Sequence, residues 1–285
     1  MPEPTEKPIL TRLGDLLGLW EADATAAHQA RLSGIPRGPV TGLEKLDRDL
    51  GGALEQGVHV VHGQPGAGKT AFALQVAVNC GAPALFVSCE MSALELLRRV
   101  TARTTNTYLG RLKSGEFTPV DSLALAKQAV SACPSFYLCD ATKAPAPPQY
   151  LLDIANGLPP GLLIVVDSVH SWAEAIGGGE SEYEALNYGL AALRGLASTL
   201  NCPVLGVAER NRMSMKAGGM SAGAGTRKIE YGAETVMDLK REESSSPDAA
   251  GEVPITLVFA KNRNGAAGKK VELKFHGALQ RFREV

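Results

Sequence analysis

Gly63-Gln64-Pro65-Gly66-Ala67-Gly68-Lys69-Thr70 matches the phosphate-loop pattern G-x-x-x-x-G-K-[ST] at every fixed position. Its flanks suit the motif. Val58-His59-Val60-Val61 before it is rich in β-branched residues and reads as a strand. Ala71-Phe72-Ala73-Leu74-Gln75-Val76-Ala77 after it reads as the first two turns of a helix. A strand, a glycine-rich loop and a helix start gather backbone N–H groups and a helix N-terminus around one anionic position. Gly63 to Thr70 are therefore expected to hold the phosphates of a nucleoside triphosphate, with Lys69 as the point charge for the β- and γ-phosphates.

The chain has 285 residues, enough for one large domain or one domain with a short appendage. With 45% hydrophobic and 21% charged residues it can bury a full core. A formal net charge of −1 excludes a bulk polycation, so any nucleic-acid contact has to come from a local patch. Only 5% of residues are aromatic, which leaves few platforms for stacking bases. Cys80, Cys89, Cys133, Cys139 and Cys202 show no C-x-x-C spacing and no paired histidines, and are expected as reduced thiols of a cytoplasmic protein. Met1-Pro2-Glu3-Pro4 runs into mixed charge rather than a secretory signal. The longest apolar run, Leu162-Leu163-Ile164-Val165-Val166, is too short to cross a bilayer, so no membrane partner is expected.

Residues 1–34 read as a loose tail followed by a helix, and residues 35–285 as the compact domain, with Ser33–Pro39 as the linker. Leu10, Leu13, Leu17, Trp20, Ala24 and Ala27 recur at steps of three and four, one stripe of a helix. Gly14 and Gly18 each cost that helix about 1 kcal/mol relative to alanine, so it is expected to dock on its own domain or on a neighbouring subunit. Beyond the phosphate loop, strands are expected at Ala84–Ser88, Ser135–Cys139, Leu162–Val166 and Pro203–Val207. Helices are expected from Ser92, an N-cap with Glu95 three residues on, and around Leu186, Leu190, Leu193 and Ala197. Such alternation predicts an α/β fold, a mostly parallel sheet flanked by helices. Thr235–Leu239, Ile255–Ala260 and Val271–Phe275 then predict an antiparallel extension at the C-terminal end.

A bound triphosphate needs a divalent cation, and that cation needs hard oxygen ligands. Thr70 supplies one from the loop, and Asp167, at the end of the strand Leu162–Val166, is placed to supply the other, so magnesium is expected with ATP. Glu90 lies just beyond the strand Ala84–Ser88, where a group that orients or deprotonates water would sit; a glutamate favouring a helix N-terminus is the plainer reading.

Several stretches fall together in the order of one family: Thr41-Gly42-Leu43-Glu44-Lys45-Leu46-Asp47, the phosphate loop, Phe86-Val87-Ser88-Cys89-Glu90-Met91-Ser92 and Ile164-Val165-Val166-Asp167. Pro203-Val204-Leu205, Lys261-Asn262-Arg263-Asn264-Gly265, Phe275 and Arg281-Phe282 complete the series. Over residues 35–285 the chain resembles the C-terminal motor domain of DnaB-type hexameric replicative helicases, within the RecA-like fold, and the region 10–34 is similar in placement to that family's linker helix. The resemblance implies ATP hydrolysis by a ring of six copies moving on single-stranded DNA, with Lys69 and Glu90 catalytic. It further implies that Lys261 and Arg263 reach the γ-phosphate of the neighbouring copy; taken alone, that stretch is a polar hairpin turn carrying basic residues.

Met213–Lys228 is the better candidate for a DNA-facing loop, since it is glycine-rich and carries Lys216, Arg227 and Lys228; Ala173–Glu180 is the second, though acidic. Three departures from the family are expected: the family's primase-docking helical domain is not expected ahead of the motor, and Glu209 and His170 stand where the family has glutamines. A carboxylate at Glu209 calls for protonation, a cation such as Arg210 or Arg212, or another role. Gly225-Thr226-Arg227-Lys228-Ile229-Glu230-Tyr231 is as similar to RadA-type recombination ATPases. A RadA- or RecA-like recombination ATPase with recombination rather than replication partners, and a KaiC-like assembly protein without DNA, stand as the alternatives.

Overall fold

The computed structural model describes residues 10–179, 181–209, 232–242 and 246–285. The chain divides into two units, Met1–Arg37 and Gly38–Val285. In the first, a 3-10 turn at Leu13–Leu16 leads into helix α1, Leu17–Ser33. Gly34 ends it in the left-handed conformation at φ 69°. Arg37 Nη2 donates to Asp23 Oδ1 at 2.6 Å. Leu13, Leu17 and Trp20 of the expected stripe are exposed, Trp20 at 74%.

In the second unit the described residues form one nine-stranded sheet. Its strands are β1 (Gly57–Gly63), β2 (Ala84–Ser88), β3 (Phe136–Asp140), β4 (Leu163–Asp167) and β5 (Pro203–Glu209). β6 (Thr235–Arg241), β7 (Glu252–Asn262), β8 (Lys270–His276) and β9 (Arg281–Glu284) complete it. The order across the sheet is β3-β2-β4-β5-β1-β6-β7-β8-β9. From β3 to β6 every neighbouring pair is parallel; from β6 to β9 every pair is antiparallel. β2 and β4 are buried along their whole length, which is why both read as continuous apolar runs.

The direction of one strand differs from the sequence expectation. Thr235–Leu239 is expected in the antiparallel extension, but β6 lies parallel to β1, with His59 opposite Thr235 and Gly63 opposite Leu239. Residues 210–234 give the connection length that a parallel crossover requires. The antiparallel ladder begins only with β7.

The helices are α2 (Glu44–Asp49), α3 (Lys69–Asn79), α4 (Ala93–Thr104), α5 (Leu109–Lys113), α6 (Pro119–Ala132), α7 (Pro148–Asn156), α8 (Val169–Ile176) and α9 (Glu182–Thr199). They cover the sheet in two separate cores. One gathers Leu46, Phe72, Leu74, Phe86, Leu96 and Phe259; the other gathers Ile164, Trp172, Leu186, Leu190, Leu193 and Val204. α8 also shortens the loop expected at Ala173–Glu180. Trp172 and Ala173 are buried, so burial carries the helix through Ile176 before Gly177 ends it.

The C-terminal strands close over the phosphate-loop helix. Phe282 meets Phe72 of α3 edge-on at 5.6 Å and stacks on Phe275 at 4.4 Å. Gln75 of α3 donates to the Phe282 carbonyl at 3.0 Å and accepts from the Phe282 amide at 2.8 Å. Phe282→Ala removes a ring 2% exposed and is expected to cost about 3–5 kcal/mol, seen as a lower urea midpoint at unchanged slope.

Candidate functional site

Four adjacent parallel strands, β2, β4, β5 and β1, present their carboxyl ends to one cleft of about 350 Å³. The ladder registers Ser88 with Asp167, Asp167 with Val207, and Gly63 with Glu209, so residues distant in sequence end at one level. Gly63 to Thr70 form the floor. Gly66 and Gly68 take φ of 80° and 87°, conformations that other residues adopt only with strain. A Cβ on Gly68 would also stand 2.9 Å from the Phe282 ring. Ala67 is fully buried and anchors the loop from below.

Lys69, the first residue of α3, is 9% exposed. Its Nζ donates to the carbonyls of Gly63 at 3.0 Å and Gln64 at 3.2 Å, and lies 3.9 Å from Glu209 Oε1. Burial lowers the Lys69 ammonium from its ordinary range, while Glu209, Asp167 and Glu90 hold it up. Lys69 thus supplies the cation that a carboxylate at Glu209 calls for.

Asp167 ends β4 and is 2% exposed. Burial pushes its carboxyl up to about 6; Glu90 adds to the rise, and the Thr70 hydroxyl bonded to it and Lys69 oppose it. Thr70 and Asp167 are thereby brought together as two hard oxygen donors. Among the described residues no group of three or more His, Cys, Asp or Glu could cage a metal. That donor set fits magnesium, which takes one or two protein oxygens and completes its shell with phosphates and water.

Glu90 stands on the turn between β2 and α4. Ser88 Oγ donates to the Met91 carbonyl at 2.7 Å, and the Cys89 amide donates to the Asp167 carbonyl at 2.7 Å, which pins the turn to the end of β4. Ser92 caps α4 by accepting from the Glu95 amide, as its spacing predicts. The Glu90 carboxylate accepts at Oε1 from Ser168 Oγ at 2.6 Å and Ser171 Oγ at 2.9 Å. Burial pushes the adjacent Cys89 thiol up to about 12, so it stays protonated.

Lys261 and Arg263 lie elsewhere. Val236 of β6 pairs with both Lys261 and, across the sheet, Val60, and the Arg263 amide donates to the Glu234 carbonyl. Arg263 therefore stands at the amino edge of the parallel strands, roughly 15 Å along the sheet from Gly63, while Lys261 is level with mid-strand Val60, roughly 10 Å from Gly63, and turns its ammonium toward that edge. Lys261 Nζ donates to the Ala233 carbonyl at 2.6 Å, and Arg263 Nη1 donates to Glu234 Oε1 at 3.0 Å. Lys216, Arg227 and Lys228, the expected DNA contacts, lie outside the described residues, as do Arg210 and Arg212.

Sequence reasoning passed over the cleft's other wall, where Arg99 from α4 donates to Gln280 beside Phe275. Gln280 is 181 positions away in sequence, and only the closing of β8 and β9 over α3 brings it there. It also passed over Ser168 and Ser171, although hydroxyl residues three apart directly after Asp167 were visible as a signal.

A glycine loop between a central parallel strand and a helix, with a buried lysine and an aspartate on a neighbouring strand end, defines a phosphate-loop nucleotide-binding protein of RecA-like fold. The model of the DnaB-like helicase C terminal domain matches residues 38–284, and the chain belongs to that family. The replicative DNA helicase DnaB of Geobacillus stearothermophilus is 28% identical over 275 residues, covering 90% of this chain and 57% of that protein. The chain thus spans somewhat over half the length of the curated relatives it matches. Among solved structures, that of a DnaB-like replicative helicase, described with its interactions with primase, superposes with a TM-score of 0.76 at 17% identity, covering 99% of this chain and 68% of that one. The RadB recombinase gives 0.56 at 20% identity, covering 86% and 98%.

The raised Asp167 has a consequence for stability. The folded protein keeps this proton up to about pH 6, whereas an unfolded aspartate releases it near 3.8. The folded state binds more protons between those values, so the ligand-free protein loses stability as pH rises through that window. Asp167→Asn is expected to resist urea better than the parent above pH 6 and to match it below about pH 4, which denaturation across that range would check.

Proposed function

We propose that this chain is the motor portion of a DnaB-type helicase, hydrolysing ATP between adjacent copies of a six-membered ring that moves on single-stranded DNA. The observation that carries this reading is the separation of two groups of residues. Lys69, Thr70, Asp167 and Glu90 converge at the carboxyl edge of the sheet, while the cationic groups of Lys261 and Arg263 stand toward the amino edge. The basic pair of one chain is out of reach of that chain's own phosphate loop. A second copy, placed edge to edge with the first, would bring the pair to the loop.

In this reading the loop amides and Lys69 hold the β- and γ-phosphates, with Lys69 leaving the carbonyls of Gly63 and Gln64 as it does so. Thr70 and Asp167 hold the magnesium ion, which when bound supplies positive charge to the phosphate oxygens. Glu90 takes the proton of the attacking water. Lys261 and Arg263 of the neighbouring copy face the charge that develops on the γ-phosphate, a role worth about 10³–10⁵ in rate in related chemistry. Support for the helicase over the recombinase reading comes from the family match across residues 38–284 and from curated relatives that are replicative helicases. The matching experiment measures ATP turnover with and without single-stranded DNA, and fork unwinding, on one preparation. Turnover indifferent to DNA would favour the nucleotide-driven assembly protein, and strand exchange without unwinding the recombinase.

Arg263→Ala is expected to bind nucleotide normally and lose at least about 10³ in turnover. Mixing it with Glu90→Gln subunits is expected to restore part of the activity, because each variant supplies what the other lacks. No recovery across a titration of mixing ratios would remove the shared site. Replacing Arg227 and Lys228 together with alanine is expected to weaken single-strand binding and to reduce the slope of log affinity against log salt by about one to two. An unchanged slope in a salt titration would move the DNA contact to another loop.

A further inference from the structure

We infer that Ser168 and Ser171 are positioning residues for Glu90: they hold one oxygen of its carboxylate and leave the other to take the proton of the attacking water. The inference rests on the reading of Glu90 as the base. Ser168 Oγ, Ser171 Oγ and Glu90 Oε1 form a triangle with sides of 2.6, 2.9 and 2.9 Å. Two hydroxyl hydrogens serve three edges. The Ser168 oxygen also accepts the Ser171 amide at 3.3 Å, which caps α8. Both hydroxyls are thus free to donate to the carboxylate, and Oε1 is the oxygen that charge favours for both. Among the described residues Oε2 makes no hydrogen bond, and it is the oxygen left for water.

The pair sits on rigid ground. Ser168 directly follows the buried Asp167 and is itself 3% exposed. One residue after Ser171, Trp172 is fully buried, and its indole N–H donates to the Ala146 carbonyl at 2.8 Å. Glu90, by contrast, is an exposed side chain on a turn, with three rotatable bonds to fix. A base misplaced by about 1 Å loses on the order of 10² in rate, so holding Oε1 is a kinetic device. In the step it serves, the water's proton passes to Oε2 as the water oxygen bonds the γ-phosphorus. The bond from that phosphorus to the bridging oxygen breaks with its electron pair staying on the diphosphate. Glu90 then returns the proton to solvent.

The test uses the whole chain with saturating single-stranded DNA and measures kcat, KM for ATP and thermal midpoint. Ser171 does not cap α8, so Ser171→Ala is the primary variant; it is expected to lower kcat about tenfold with KM within about twofold. Ser168→Ala,Ser171→Ala is expected to lower kcat by about 10², and Ser171→Thr to recover most of the loss through its hydroxyl. In a Glu90→Gln background the Ser171→Ala change is expected to alter residual turnover less than about twofold, because its effect runs through Glu90. An equal fractional loss in both backgrounds, a loss carried by KM, or an unaltered kcat for Ser171→Ala would overturn the inference while leaving Glu90 as base. Full turnover by Glu90→Gln alone would overturn the base itself.

Discussion

Keeping a buried ammonium group charged is the constraint on which this site depends. Lys69 sits at the start of α3 under nearly complete cover, where burial pulls against its charge. Two loop carbonyls and three carboxylates, from Glu209, Asp167 and Glu90, stand around it. The sheet order is what makes this possible: β1 carries the loop, and β5, β4 and β2, lying successively beside it, each bring one carboxylate to the same edge. The same crowding acts in reverse on Asp167, whose carboxyl is driven up by burial and by Glu90. Phosphate binding would relieve Lys69 of its carbonyl partners and would set new negative charge beside Glu209. This site is poised between a resting charge balance and one that a ligand completes.

Much of this was legible in the sequence because the relevant residues are local. The loop is one contiguous octet, and Asp167 follows an apolar run that can only be a buried strand. Glu90 is two residues past another. The direction of β6 was not legible, because Thr235–Leu239 has no feature that distinguishes a parallel from an antiparallel neighbour; only its pairing with β1 reveals it. Arg99 and Gln280 were invisible for a different reason. Their meeting depends on β9 crossing α3, a contact between the two ends of the domain that no local pattern encodes. Ser168 and Ser171 fall between these cases, since their spacing was visible and their target was not.

The two edges of the sheet carry different halves of the chemistry. At the carboxyl edge stand the groups that, in the proposed reaction, would hold phosphate and move a proton; at the amino edge stand two cations tied to Ala233 and Glu234. Arg263 is therefore partnered within its own chain by a carboxylate that any new anionic partner has to displace. An exposed ion pair of this kind contributes about 0–1 kcal/mol, small enough for a phosphate to displace.

The clasp of β9 on α3 also sets an order of events during synthesis. Glu284 accepts from the amides of Lys45 at 2.8 Å and Leu46 at 3.1 Å, and Phe282 covers Phe72, so the last strand is tied to two of the earliest helices of the domain. Contacts between such distant positions form late, because the intervening chain has to be ordered first. While the ribosome is still making residues 80–280, Phe72 lacks the Phe282 ring that meets it, and Gln75 lacks the backbone it pairs with. The helix that follows the nucleotide loop is thus among the first parts of the domain to be translated, and it gains its Phe282 and Gln75 contacts only once the last strand is made.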